Sequence, residues 1–276
     1  ALKFAKKALK YGLLNNNNNG VLLNNIGLRN IDLKNLKSGK KYLTKALNID
    51  INLHGNYHPN IASRYNNLSL IHIENGEYTD AIELLEKALN IDINVYGDKH
   101  ENVATRFINL SECYRKLSKL NKALDSIRKA HEIDLFNYGE EHPMLCYTYN
   151  IEAHIYSQMG SYKKAIETIN KAIKINKKFN DGLNDKLTSD YNFKGILSAK
   201  MSDFKNAISS FIKADQIESK IFKNNPELRI ITWLNICKSY KKLNKNKELN
   251  FYLSKIEKLP IELQNHDNDF LKNVKI

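Results

Sequence analysis

Ala46, Ala88, Ala130, Ala172 and Ala214 stand 42 residues apart, and Ile49, Ile91, Ile133, Ile175 and Ile217 keep the same step. Gly55, Gly97 and Gly139, and His58, His100 and His142, share the period. Four columns in one register constrain the fold more than any other feature, because a repeat of this length is a supersecondary unit that buries its apolar face only by stacking on its neighbours. Each copy predicts two helices. In the second, Ile61, Tyr65, Leu68 and His72 fall at helical spacing and Asn75-Gly76 ends the run; Tyr78, Ala81, Ile82, Leu85, Ala88, Leu89 and Ile91 then form the apolar stripe of a second helix. The Ala columns at 81, 123, 165 and 207 and at 88, 130, 172 and 214 mark places where only small side chains let helices approach closely.

The residues Tyr65, Leu68, Ser69, Gly76, Tyr78, Ala81 and Ala88 resemble the tetratricopeptide repeat. The 42-residue period and the Gly-x-x-His-Pro linkers, Gly55 to Pro59 and Gly139 to Pro143, look like the kinesin light chain subtype. The resemblance covers about residues 21–258. It departs from the pattern at Gly39, Glu152, Lys194, Leu249 and Ile256. It implies an all-α, α-α superhelix of about six helix pairs, with repeats over 21–59, 60–101, 102–143, 144–185, 186–227 and 228–258. Residues 1–20 read as the second helix of a partial repeat followed by an Asn-rich loop, and 259–276 as a C-terminal capping helix. The start at Ala1 reads as an excised region, and a cytoplasmic location is expected.

Composition removes several classes. No apolar run approaches the ~20 residues of a membrane helix, so membrane insertion is not expected. Cys113, Cys146 and Cys237 form no CxxC and read as buried, inert thiols. Nucleotide-loop, HExxH and GxSxG motifs are missing, so no enzyme, cofactor or metal is expected. His54 and His58 have ligand-like spacing but lie in a linker, and read as structural. Net charge is +13, from 37 Lys and only 6 Arg, spread as +6 and +7 over the two halves. Such a surface suits an acidic partner better than sequence-specific reading of nucleic acid, which favours Arg.

First helices are expected to line the concave side of the stack. Their predicted exposed faces carry an Asn column: Asn25, Asn67, Asn109 and Asn235, with Asn150 and Asn192 one residue earlier in the fourth and fifth repeats. An amide both donates and accepts, so a ladder of them can pair with an extended peptide backbone, and the resemblance implies that use. Glu112, Lys116, His154, Phe193, Lys200, Lys238 and Lys242 are expected on the same surface, acidic toward its start and basic toward its end. The sequence thus predicts a non-catalytic scaffold that binds an extended, acidic peptide segment of another protein. The alternatives are a sensor module of a larger signalling ATPase or protease chain and, behind that, lysine-mediated nucleic-acid binding.

Overall fold

A computed structural model describes residues 16–178 and 184–259. Its helices run α1 (Asn16–Asp32), α2 (Leu36–His54), α3 (Pro59–Glu74), α4 (Tyr78–Tyr96), α5 (Glu101–Lys116), α6 (Leu120–Tyr138), α7 (Met144–Gln158), α8 (Tyr162–Asn176), α9 (Asp185–Lys200), α10 (Phe204–Ile221), α11 (Ile230–Lys242) and α12 (Asn246–Glu257), with a 3₁₀ turn at Pro226–Arg229. No strand occurs among the described residues. Consecutive helices pair as hairpins, and the described residues form two compact bodies, divided after Glu140, within each of which one hairpin packs on the next. The chain folds as an all-α solenoid of helix pairs.

One expectation is corrected. The Asn-rich stretch is not a loop: α1 begins at Asn16 and runs through Gly20, which is buried. Asn is a weak helix former, but the helix continues into Leu23 and Ile26, whose burial stabilises the whole element. The expected partial-repeat helix over 1–14 and the cap beyond Leu259 lie outside the described residues.

The repeat columns have direct structural causes. Ala46, Ala88, Ala130, Ala172 and Ala214, and Ala81, Ala123, Ala165 and Ala207, are all fully buried. Gly195 takes the small-residue place that Ala153 holds one repeat earlier, and a Cβ there would lie 2.4 Å from the Phe211 ring. Phe211 stands where Ile169 stands in the preceding repeat, so a smaller residue on α9 makes room for a larger one on α10.

The His column caps helices. Nδ1 of His58, His100 and His142 accepts from the backbone N–H of Asn60 (3.2 Å), Asn102 (3.1 Å) and Met144 (3.2 Å). This satisfies an otherwise orphaned amide of a first turn. The preceding glycines, Gly55, Gly97 and Gly139, combine φ of 74°, 85° and 77° with ψ near 180°, a region open essentially to glycine alone.

Two further columns run through the stack. Lysines 22 residues downstream cover aromatic rings of the first helix: Lys87 over Tyr65 (5.9 Å), Lys129 over Phe107 (5.2 Å), Lys171 over Tyr149 (5.4 Å), Lys213 over Tyr191 (5.7 Å) and Lys255 over Trp233 (5.6 Å). Part of the lysine excess therefore covers rings with its stems and places charge over their faces. The second column joins the end of one repeat to the start of the next through buried polar pairs 14 residues apart. Arg64 Nε donates to Asp50 Oδ2 (2.7 Å) and Arg106 Nε to Asp92 Oδ2 (2.9 Å) in the first body. Asn176 Nδ2 donates to Asp190 Oδ2 (2.7 Å) and Thr232 Oγ1 to Glu218 Oε1 (2.9 Å) in the second.

Candidate functional site

In the first body, the Asn column is a bonded ladder. Asn109 Nδ2 donates to Asn66 Oδ1 (2.8 Å), and Asn67 Nδ2 donates to Asn24 Oδ1 (2.7 Å). Within the doublets, Asn66 Nδ2 approaches Asn67 Oδ1 at 3.5 Å and Asn24 Nδ2 approaches Asn25 Oδ1 at 3.4 Å. Five amides on α1, α3 and α5 thus connect in series. Each amide has two N–H donors and a carbonyl with two lone pairs, so the ladder uses only part of their capacity. Asn25 is exposed, and Asn67 and Asn109 are half-buried. Asn24 and Asn66 were missed as ladder members, although the doublets Asn24-Asn25 and Asn66-Asn67 share the 42-residue register.

The flanking charges behave differently from one another. Glu112 is held by its neighbour Arg115, whose Nε and Nη2 donate to the two carboxylate oxygens at 2.8 and 2.5 Å. Those bonds also push the Arg115 guanidinium up from its ordinary value. Lys116 is exposed at the end of α5.

In the second body, the column divides. Asn150 and Asn192 make different bonds from those of the ladder. Asn150 Nδ2 donates to the Cys146 carbonyl (2.8 Å), and Asn192 Nδ2 donates to Thr232 Oγ1 (2.9 Å) and Glu218 Oε1 (3.2 Å). Both amides serve contacts inside the fold. Asn192 helps to satisfy Glu218, a carboxylate whose burial pushes its pKa up while these donors pull it down. The one-residue offset that separates them from Asn235 in sequence turns them about 100° around the helix.

Asn235 instead joins Lys200, Lys238 and Lys242 around one pocket of about 810 Å³ between the α9–α10 and α11–α12 hairpins. Ile196, Phe204 and Phe211 supply apolar lining, and Lys241, not singled out from sequence, adds a fourth ammonium group. Lys200 Nζ also lies 5.5 Å from the centre of the Tyr162 ring. The rings of His154 on α7 and Phe193 on α9 stack 3.9 Å apart. Also on α9, the half-buried Lys194 donates to Asn170 Oδ1 (2.7 Å) and is held below the usual lysine range by burial and, less, by Lys213 and Lys177. The pocket offers apolar surface inside a rim of cations, with one amide able to donate and accept.

The thiols offer no comparable chemistry. Burial pushes Cys113 and Cys237 up to about 12 and Cys146 up to about 11, so all three stay protonated and weakly nucleophilic. No described helix is long and apolar enough to cross a membrane.

The tetratricopeptide repeat model matches residues 20–92, 65–135 and 107–178, which together exceed half of the chain. Among solved structures, BtubC (BKLC) from P. vanneervenii is similar at 18% identity and TM-score 0.70, over 85% of this chain and 92% of that one. The kinesin light chain-type, nearly identical TPR-like repeats of Podospora anserina align at 15% identity and TM-score 0.67, over 76% of this chain and all of theirs. PilF of Pseudomonas aeruginosa aligns at 16% identity and TM-score 0.62, over 92% of this chain and 99% of that one. At these identities the likeness is one of fold. A search of curated protein sequences gives no match.

Proposed function

From a chain that belongs to the tetratricopeptide repeat family, and is thereby a protein–protein interaction scaffold, we propose binding of an extended acidic peptide, with no catalysis of its own. The observation that carries this reading is the lysine-rimmed pocket of the second body. Lys200, Lys238, Lys241 and Lys242 surround Ile196, Phe204 and Phe211, with Asn235 beside them. A partner segment there places an apolar side chain against the rings, its carboxylates among the ammonium groups, and its backbone within reach of the Asn235 amide. The ladder of Asn25, Asn67 and Asn109 is proposed as a second backbone-binding surface on the first body, while Asn150 and Asn192 leave the set.

The test is selection from a random peptide display library, followed by titration of the selected peptides. Enrichment of Asp and Glu beside an apolar residue is expected. Lys200→Glu with Lys242→Glu should weaken those peptides at least tenfold, about 1.4 kcal/mol, and raising salt should weaken the wild-type complex. Selection of neutral or basic peptides, or equal binding by the double variant, would place the binding surface elsewhere.

A further inference from the structure

The turn of the second repeat holds a side-chain set that its neighbours do not. In the third and fourth repeats, a Tyr near the end of the first helix is covered by a Lys eight residues later: Lys122 over Tyr114 (5.6 Å) and Lys164 over Tyr156 (5.8 Å). At the same register, the second repeat has His72 and Asp80, and between them Glu77 replaces Lys119 and Ser161. The second repeat thus carries neither member of that cation–ring pair and has carboxylates at two of the three positions.

The three side chains converge. His72 Nδ1 lies 2.6 Å from Glu77 Oε2 and 3.7 Å from Asp80 Oδ2, and the three donor atoms fall within 4.8 Å of one another. The Nδ1 atom is fully buried and has no hydrogen-bond partner. A buried ring nitrogen that faces two carboxylate oxygens without hydrogen-bond geometry to either is costly for a neutral imidazole. A bound cation removes that cost, because the nitrogen lone pair and both carboxylates become ligands of one centre.

The backbone supports the arrangement. Glu77 N–H donates to the His72 carbonyl (2.8 Å) across the turn at Gly76, φ 78°. This fixes the Glu77 and His72 main chains against each other. Asn75 Nδ2 approaches the other Glu77 oxygen at 3.4 Å, leaving Oε2 toward the imidazole. Glu77 and Asp80 are largely exposed, so their rotamers can adjust and water can complete the shell. Ligand distances of about 2.0–2.2 Å for zinc with N and O donors put two ligands of one ion roughly 3–3.5 Å apart, between the two separations seen here.

We propose that His72, Glu77 and Asp80 form a binding site for a divalent transition-metal ion of the zinc class, with water in the remaining position. One imidazole with two carboxylates is a borderline donor set, suited to Zn²⁺ or Co²⁺ and poorly suited to Ca²⁺, which prefers oxygen alone.

The experiment is titration calorimetry of the whole chain with zinc chloride, beside Co²⁺ absorption spectra and thermal melts. The central variant is His72→Tyr with Asp80→Lys, which installs the pair that the third and fourth repeats already use. The wild type should bind an equivalent of Zn²⁺ that this variant loses or binds at least tenfold more weakly. Zinc should raise the wild-type melting temperature, with no such rise in the variant. Glu77→Gln with Asp80→Asn, at exposed positions, provides the same comparison if the first variant folds poorly. Identical isotherms for wild type and variants, or no zinc binding by the wild type at millimolar concentration, would overturn the site and leave an ion pair in its place.

Discussion

At the scale of single residues, every turn between the two helices of a repeat places one residue in the left-handed region, always at the same register. Gly76 and Gly160 have φ of 78° and 73°, but Lys34, Ser118, Ser202 and Asn244 adopt 57°, 57°, 61° and 54°. At Ser118 the turn is closed by Lys119 N–H to the Tyr114 carbonyl (2.8 Å) and Ser118 N–H to Arg115 (3.0 Å), a pattern that suits glycine. A side chain in this region costs roughly 1–2 kcal/mol, part of which glycine loses again through a freer unfolded chain. Ser118→Gly should therefore stabilise the protein by about 0.5–1 kcal/mol, read as a higher urea midpoint with unchanged slope. A lower midpoint would show that the Ser118 side chain contributes more than its backbone costs. The glycines were legible in sequence as helix stops, whereas the four substituted positions carried no compositional signal.

Between elements, the buried pairs 14 residues apart tie each second helix to the next first helix. Asp92 and Arg106 have almost no exposed surface. Burial pushes the Asp92 carboxyl up while Arg106 pulls it down, and burial pushes the Arg106 guanidinium down. Arg106→Met strands the carboxylate and should cost about 3–5 kcal/mol, whereas Asp92→Leu with Arg106→Met should recover most of that loss. The deficit of the single variant should shrink as pH falls. The folded-state value of an unpaired, buried Asp92 lies above its unfolded value, so protonation relieves the folded state first and the penalty returns as pH rises through that value. Chemical denaturation of the three chains at neutral and acid pH reads both effects; equal losses in single and double variants would mean the pair is not coupled. This column escaped sequence reading because its chemistry changes along the chain, from Asp–Arg to Asn–Asp to Glu–Thr. Position is retained while residue type is not.

For the molecule as a whole, nearest-neighbour packing predicts graded loss of structure. Ala207 and Phe211 of α10 share an apolar cluster with Ile230, Trp233, Ile236, Leu253 and Ile256 of α11 and α12. Removing residues 228–276 uncovers that face. It should lower the melting temperature of the second body by roughly 5–15 °C, as expected for a few kcal/mol in a domain of this size, while helicity per residue in the rest stays high. Circular dichroism melts read this directly, and collapse of all helical signal would contradict a solenoid built from local contacts.

The sequence by itself determined the period, the helix pairs and the small-residue contacts, because Ala, Gly and aromatic columns repeat wherever two helices must approach or a turn must close. It also marked Asn235, Lys238 and Lys242 as surface residues of one face, since helical spacing separates them from Trp233 and Ile236, and Lys200 by its spacing from Tyr191 and Gly195 on its own helix. Tertiary structure decided what each polar residue does there. Asn67 and Asn192 look alike in sequence, yet one bonds along an amide ladder and the other satisfies Glu218. His72 and His58 are both imidazoles near helix ends, yet one caps a backbone amide and the other faces two carboxylates. Polar side chains take their roles from the partners that folding brings within about 3 Å, and those partners lie up to 43 residues away.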